Sequence, residues 1–316
     1  MSLIEFCEKG DLEGVKAALK SGVDVNIRNK DGVTGLMVAV RNNHNSVVEL
    51  LLNTPDIDVN LKTNQGRPAL HWAVIEENNE ALQLLLDVPC INVNIVDNYG
   101  KSAVYWAVYS KNNEALKLLL HVTSIDVNIV DNIGWGALHL ALNKNNIKAL
   151  KLLLSHPSIN VNIVYNYGQS AVFKAVIWNN IEALKLLLDV PNIDVSIVDN
   201  RGESALLKAV DKNNIEALKL LLKVQGIDVN IHGQSVVLKA VVENNIEVLK
   251  LLLKHPSLTA QTLNQKFHGD TLVMWAVKMN RLEPLALLAA DLRVDLDTTD
   301  KEGKSLEEVA FENYNW

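Results

Sequence analysis

The sequence predicts an all-α solenoid, a curved, elongated stack of two-helix repeats, and three observations predict it. First, a glycine recurs at nearly constant distance. Gly32, Gly66, Gly100, Gly134, Gly168 and Gly202 are each 34 residues apart, and Gly233, Gly269 and Gly303 follow at 31, 36 and 34. Second, NNIEALKLLL stands at Asn179–Leu188 and again at Asn213–Leu222, with close variants at Asn112–Leu120, Asn145–Leu154 and Asn244–Leu253. Third, each repeat holds two short apolar stretches at helical spacing, such as SAVYWAV and NNEALKLLL, and then an extended DVNIVDN segment. A period of about 20–50 residues marks a solenoid or a propeller, and a four-stranded propeller blade has no room here.

Taken in order, residues 1–28 read as an N-terminal cap. Ser2-x-x-Glu5 is a capping box, and the helix LEGVKAALK is poorer in leucine than its successors, as a polar end face requires. Residues 29–299 read as internal repeats. In each, Thr34, Ser102, Ser170, Ser204, Ser235 or Thr271 is placed to N-cap the first helix, while Pro68 and Gly136 break that rule. Asn43, Asn145, Asn179, Asn213, Asn244 and Asn280 stand where that helix must close in the left-handed conformation, with Glu77 and Lys111 in two repeats. The second helix gathers its leucines on one face and leaves Glu and Lys outside, so Glu182–Lys185 and Glu216–Lys219 are expected i, i+3 pairs. Residues 300–316 read as a C-terminal cap opening on Ser305-x-x-Glu308. The whole is expected to be one domain, 1–316, of about nine to ten repeats stabilised by nearest neighbours, and a complete array. A shortened loop before Gly233 and a lengthened one before Gly269 predict altered finger packing around 225–269.

The repeats resemble the ankyrin repeat. DNIGWGALHLALNKNNIKALKLLLSHPSINVN, Asp131–Asn162, carries the resemblance, and RPALHWAV, Arg67–Val74, keeps its Leu-His pair. The resemblance covers essentially the whole chain. It implies a helix-turn-helix plus a β-hairpin or loop finger per repeat. It also implies that His71 and His139 join backbone hydrogen bonds between neighbours. The family's proline after Thr is absent, and one extra residue before each D-V-N gives 34 in place of 33.

Composition narrows the function. Apolar residues make up 48% and charged residues 21%, with a net charge of −7, so no phosphate-binding stripe and no nucleic-acid partner is expected. No apolar run approaches the roughly 18 residues of a membrane span. The opening MSLIEFCEKGD lacks a secretory pattern, so cytoplasm or nucleus is expected. Cys7 and Cys90 read as reduced, partly buried thiols. No nucleophile–base pattern, phosphate loop or metal spacing is found, so no enzyme, cofactor or metal is expected; His121, His156 and His255 read as helix ends.

What stacking leaves free is more informative. In such arrays partners usually meet the finger tips and the exposed side of the first helix. Counted from each glycine, these are positions −2, −1 and +1, and then +6, +9 and +10. They hold Trp72, Tyr99, Trp106, Tyr109, Trp135, Lys144, Tyr167, Lys174, Trp178, Lys208, Lys212 and Lys239, with Trp275 and Met279 finishing the row. Five of the six tryptophans fall there. Trp and Tyr bury large areas with few rotors and anchor interfaces. The expectation is a monomeric, non-catalytic adaptor that binds a protein or peptide on its concave face. The aromatics would anchor the partner, and Lys174, Lys208, Lys212 and Lys239 would meet its carboxylates. At the +6 positions, Trp72 and Trp106 have an alternative reading as core between repeats. Two other roles stay open: a regulatory, inhibitory or targeting subunit of an enzyme encoded elsewhere, and an engineered, consensus-like scaffold.

Overall fold

The computed structural model describes residues 1–229 and 235–314. Twenty helices form among them, nearly all of seven to nine residues. Helices this short do not persist alone in water, so their stability comes from packing. The chain divides into two compact bodies, Met1–Asn166 and Tyr167–Trp316.

The first body contains five helix pairs: Leu3–Lys9 with Leu12–Lys20, Gly35–Arg41 with Asn45–Leu52, Ala69–Ile75 with Asn79–Leu86, Ala103–Tyr109 with Asn113–Leu120, and Ala137–Asn143 with Ile147–Leu154. First helices pack on first helices and second on second. The second body repeats this plan with Ala171–Ile177 and Ile181–Leu188, Ala205–Asp211 and Ile215–Leu221, Val236–Val242 and Ile246–Leu253, and Leu272–Lys278 and Leu282–Ala289. Leu306–Tyr314 closes it, packed on Leu272–Lys278.

The recurring decamer now has a physical reason. Leu82, Leu85, Leu116, Leu119, Leu150 and Leu153, and their counterparts Leu184, Leu187, Leu218 and Leu221, are wholly buried between neighbours. Each contributes roughly 1.5–3 kcal/mol over an exposed leucine. Both asparagines of the NN pair are also used. The first takes the left-handed conformation, with φ of 49–57° at Asn145, Asn179, Asn213 and Asn244; Asn43, Asn280, Glu77 and Lys111 do the same in repeats without the pair in that register. The next residue, at Asn78, Asn112, Asn146, Asn180, Asn214 and Asn245, caps the second helix by accepting a backbone N–H through Oδ1. At Asn78, Asn112, Asn146, Asn214 and Asn245 its Nδ2 donates to the preceding repeat of the same body. Asn112 reaches Asn79 Oδ1 at 3.0 Å and Asn214 reaches Asn179 Oδ1 at 2.8 Å.

The first helices start on the expected caps, with Thr34, Ser102, Ser170, Ser204, Ser235 and Thr271 each accepting a backbone N–H. Pro68 and Gly136 make no side-chain cap. Both terminal capping boxes form: Ser2 with Glu5, and Ser305 with Glu308.

Between repeats the chain makes fingers tied by a side-chain ladder. The anchoring glycines have φ of 73–94° at Gly32, Gly66, Gly100, Gly134, Gly168, Gly202, Gly269 and Gly303. Asp97 Oδ1 accepts the N–H groups of Tyr99 and Lys101, and Asn98 N donates to Gln65 O of the previous finger. Lower down, Asn60 Nδ2 donates to Cys90 O and Asn60 Oδ1 accepts from Asn92 N, both at 2.8 Å. These hydrogen bonds leave the fingers with only isolated β-bridges among the described residues, such as Val130 with Gly136, in place of regular hairpins.

Three sequence expectations change. Lys219 does not pair with Glu216; it crosses to Glu247 of the following helix at 3.3 Å, and Lys185 crosses to Glu216 at the same distance. Neighbouring second helices lie close enough for the long side chains to bridge them. Cys7 is buried, which pushes its thiol up to about 12, but Cys90 is exposed because it sits in the turn after a second helix. The shortened loop and Gly233 lie outside the described residues. The lengthened loop places its extra residues in a short helix, Ala260–Leu263, capped by Thr259.

Candidate partner-binding face

The first helix of a repeat turns its alanines and valines, +7 and +8 among them, into the stack and keeps its +9 and +10 positions, with +6 in some repeats, on its open side. In the first body that side holds an interleaved set of rings and cations. Arg41 lies 4.4 Å from the Trp72 ring centre, Arg67 5.5 Å from Trp72 and 4.6 Å from Trp106, and Lys101 5.2 Å from Trp106. Lys144 lies 4.5 Å from the Tyr109 ring. Tyr109 stacks on Tyr105 at 6.5 Å with 13° between the planes and meets Trp106 edge-on at 5.4 Å. Such cation–ring contacts contribute about 0.5–1 kcal/mol each where exposed and more where water is excluded.

Exposure sorts the expected residues. Tyr99 is 61% exposed, Tyr109 47%, and Tyr167 in the second body 66%. Trp72, Trp135 and Trp178 keep part of their surface. Trp106 does not: at 9% exposed it belongs to the core, wedged between Arg67, Lys101 and Tyr109, so the alternative reading applies to it. Trp135 packs edge-on against buried Tyr165 at 5.9 Å. His71 is buried, and its Nε2 donates to Ile95 O of the adjoining repeat at 3.0 Å. Burial pulls its pKa down to about 4, so the ring is neutral.

In the second body Lys174 lies 5.1 Å from the Trp178 ring, and burial holds its ammonium below the usual lysine range. Lys208 and Lys239 are not free to meet a partner's carboxylates. Glu203, Lys208, Asp211, Lys239 and Glu243 form a continuous chain of ion pairs at 2.5–3.3 Å. Burial opposes the Lys208 charge, but Glu203 and Asp211 outweigh it and raise its pKa. For Lys239 the Glu243 carboxylate is the main cause of a raised pKa. A cavity of about 600 Å³ beside this chain is walled by Leu207, Leu238, Val242 and Phe267. Lys212 is exposed and unpaired among the described residues, and it lines a smaller cavity of about 330 Å³ with Arg201 and Tyr167.

Counting from the glycines selected Trp135 at +1, and the same position holds Arg67 and Lys101, whose part in the aromatic set was missed. Arg41, at +9, was missed too. No group of three or more His, Cys, Asp or Glu able to hold a metal ion occurs among the described residues, and no helix there is long and apolar enough to cross a membrane.

A family model for ankyrin repeats, three copies long, matches overlapping windows at residues 3–97, 58–131, 77–165, 105–199, 138–233 and 192–262. The chain belongs to the ankyrin-repeat family. One solved structure similar to it is the ankyrin-repeat domain of Bcl-3, described as a unique member of the IkappaB protein family. The identity is 26% and the TM-score 0.62, over 70% of this chain and 97% of that one. No curated protein sequence matches the chain significantly. Ankyrin repeats are in general non-enzymatic scaffolds for protein–protein interaction.

Proposed function

We propose that this ankyrin-repeat chain is a non-catalytic adaptor that receives a protein or peptide on its first helices and finger tips. The observation that carries this reading is where its aromatic surface lies. Tyr99, Tyr109 and Tyr167 are largely exposed, and Trp72, Trp135 and Trp178 partly so, all on fingers or first helices. Packing does not require them there, because valine, alanine and leucine already fill the interior. A few well-placed aromatic residues carry most of the binding energy in a typical interface. Within each body the rings are held by neighbours, as Tyr109 is by Tyr105, so little rotamer freedom is lost on binding.

Ligands selected from a random peptide library on the full chain test this. Tyr109→Ala with Trp135→Ala, and separately Trp178→Ala, are expected to weaken the selected ligands by about ten-fold or more. Selected ligands that bind all these variants as tightly as the parent would place recognition elsewhere.

A further inference from the structure

We infer that the face of the first body is built for an acidic peptide segment, read by the positive charges of Arg41, Lys101 and Lys144 where they rest on aromatic rings. This rests on the reading of that face as a binding surface and adds the chemistry of what it takes.

The argument is one of charge accounting. On the second helices three lysines are neutralised within the chain: Lys117 pairs with Glu114, Lys185 with Glu216 and Lys219 with Glu247. On the first-helix side of the second body, Lys208 and Lys239 are likewise spent on Glu203, Asp211 and Glu243, while Lys212 is exposed and Lys174 rests on the Trp178 ring. The first body gathers three such charges and, among the described residues, has no comparable chain of ion pairs on that side. Arg41, Lys101 and Lys144 have no carboxylate within ion-pair distance among the described residues. Their contacts are with π faces, at 4.4 Å for Arg41 on Trp72, 5.2 Å for Lys101 on Trp106 and 4.5 Å for Lys144 on Tyr109. A ring steadies a cation without cancelling its charge. The nearest carboxylates do not compensate. Asp97 and Asp131 are buried, and each accepts two finger N–H groups through Oδ1. Asp97 also lies 3.7 Å from Arg67, which is why Arg67 is not counted among the available charges. Glu76, exposed at +10 after Ala69–Ile75, lies on the same row and favours a ligand with spaced charges over a dense polyanion.

The occupant follows from this. The three charges come from three different repeats, at +9, +1 and +10 from their glycines, so they are spaced apart and not clustered. Tyr99 and Tyr109 beside them offer exposed apolar surface. An extended segment with carboxylates separated by apolar residues satisfies both. A single-stranded nucleic acid also seeks cations and rings, but it needs open ring faces for its bases. Here most of those faces are taken: Trp72 by Arg41 and Arg67, Trp106 by Arg67 and Lys101, and Tyr109 by Lys144 and Tyr105, which leaves Tyr99 as the most open ring of the set. The chain's net charge of −7 opposes a polyanion as well.

The test uses the full chain and a random peptide library, with a single-stranded oligothymidylate as the rival probe. Selected peptides are expected to be enriched in Asp and Glu. Their affinity should fall as salt rises to about 0.5 M. It should drop by about ten-fold or more in the triple variant Arg41→Gln, Lys101→Gln, Lys144→Gln, and largely return when Lys101 and Lys144 are made Arg. Circular dichroism of the triple variant should match the parent. Peptides without acidic enrichment that survive the triple variant but are lost with Tyr109→Ala and Trp135→Ala would overturn the charge assignment and leave the binding face standing. Peptides indifferent to both sets would overturn both. Oligothymidylate binding as tight as the best peptide would overturn the peptide assignment.

Discussion

At the scale of single residues, the fold holds groups in states that water would not favour, and each gives a measurable consequence. Neutral His71 is the clearest. Its Nε2–H is used by Ile95 O, its bare Nδ1 is buried, and its pKa is about 4 against an ordinary 6.5. The unfolded chain therefore binds the proton first as pH falls, so the stabilisation is complete above about 6.5 and is lost progressively towards 4. Over that window the loss is roughly 3 kcal/mol from this one residue. Urea melts at pH 7 and pH 5 should show the decline, and His71→Gln should flatten it; an unchanged slope in the variant would exclude His71 as its source. Glycine gives a second case. A Cβ on Gly100, at φ 79°, would sit 2.8 Å from Asn132 Oδ1 and 2.9 Å from Asn132 N on the next finger, whereas one on Gly22, at φ 85°, meets nothing within 4 Å. Gly22→Ala should cost only the left-handed penalty of about 1–2 kcal/mol. Gly100→Ala should cost about 1–3 kcal/mol more, through the displaced finger. Equal costs in thermal melts would mean that the fingers yield freely.

At the scale of the element, one asparagine serves two helices, and the two duties can be separated. Asn112 Oδ1 caps Asn113–Leu120 by accepting from Ala115 N at 2.9 Å, while its Nδ2 donates to Asn79 Oδ1 and to Val74 O in the previous repeat. Asn112→Asp keeps the acceptor and loses the donor; Asn112→Ala loses both. The expected order of stability is Asn above Asp above Ala, with about 1 kcal/mol for the cap alone. Asp and Ala variants of equal stability would show that the cap contributes nothing and the inter-repeat bond everything. Most of this element structure was legible in the sequence because it is local. Ser and Thr caps, left-handed residues and leucine faces are fixed by neighbours three or four positions away. The double use of the NN pair was only half legible, since its second partner lies 33 residues upstream. The ion pair of Lys208 with Asp211 was within reach, being an ordinary i, i+3 pair on Ala205–Asp211. Lys208 also occupies an outward-facing +6 position, and that position alone does not tell a paired lysine from a free one. The rings of Trp72 and Trp106 could not be read the same way. The cover over Trp72 and the burial of Trp106 depend on Arg41, Arg67 and Lys101, some from other repeats, and no short-range pattern records which long side chain will lie across which ring.

At the scale of the whole molecule, stability should be a sum over neighbours and not a property of one core. Asn113–Leu120 packs on its own first helix and on the second helices before and after it, Asn79–Leu86 and Ile147–Leu154. Leu116 is wholly buried there. Leu116→Ala should therefore cost about 2–5 kcal/mol, the usual range for a buried leucine whose site cannot collapse. In a single-core protein that loss would weaken every slowly exchanging amide alike. In a stack held only by adjacent repeats, it should stay near where it was made. Hydrogen exchange is expected to show amide protection falling in 79–154, while the helices of 272–314 keep their parent rates. Leu249→Ala, an equally buried leucine of the second body, should give the mirror result and spare the helices of 3–52. Loss of protection spread evenly along the chain in either variant would mean that the repeats unfold as one unit.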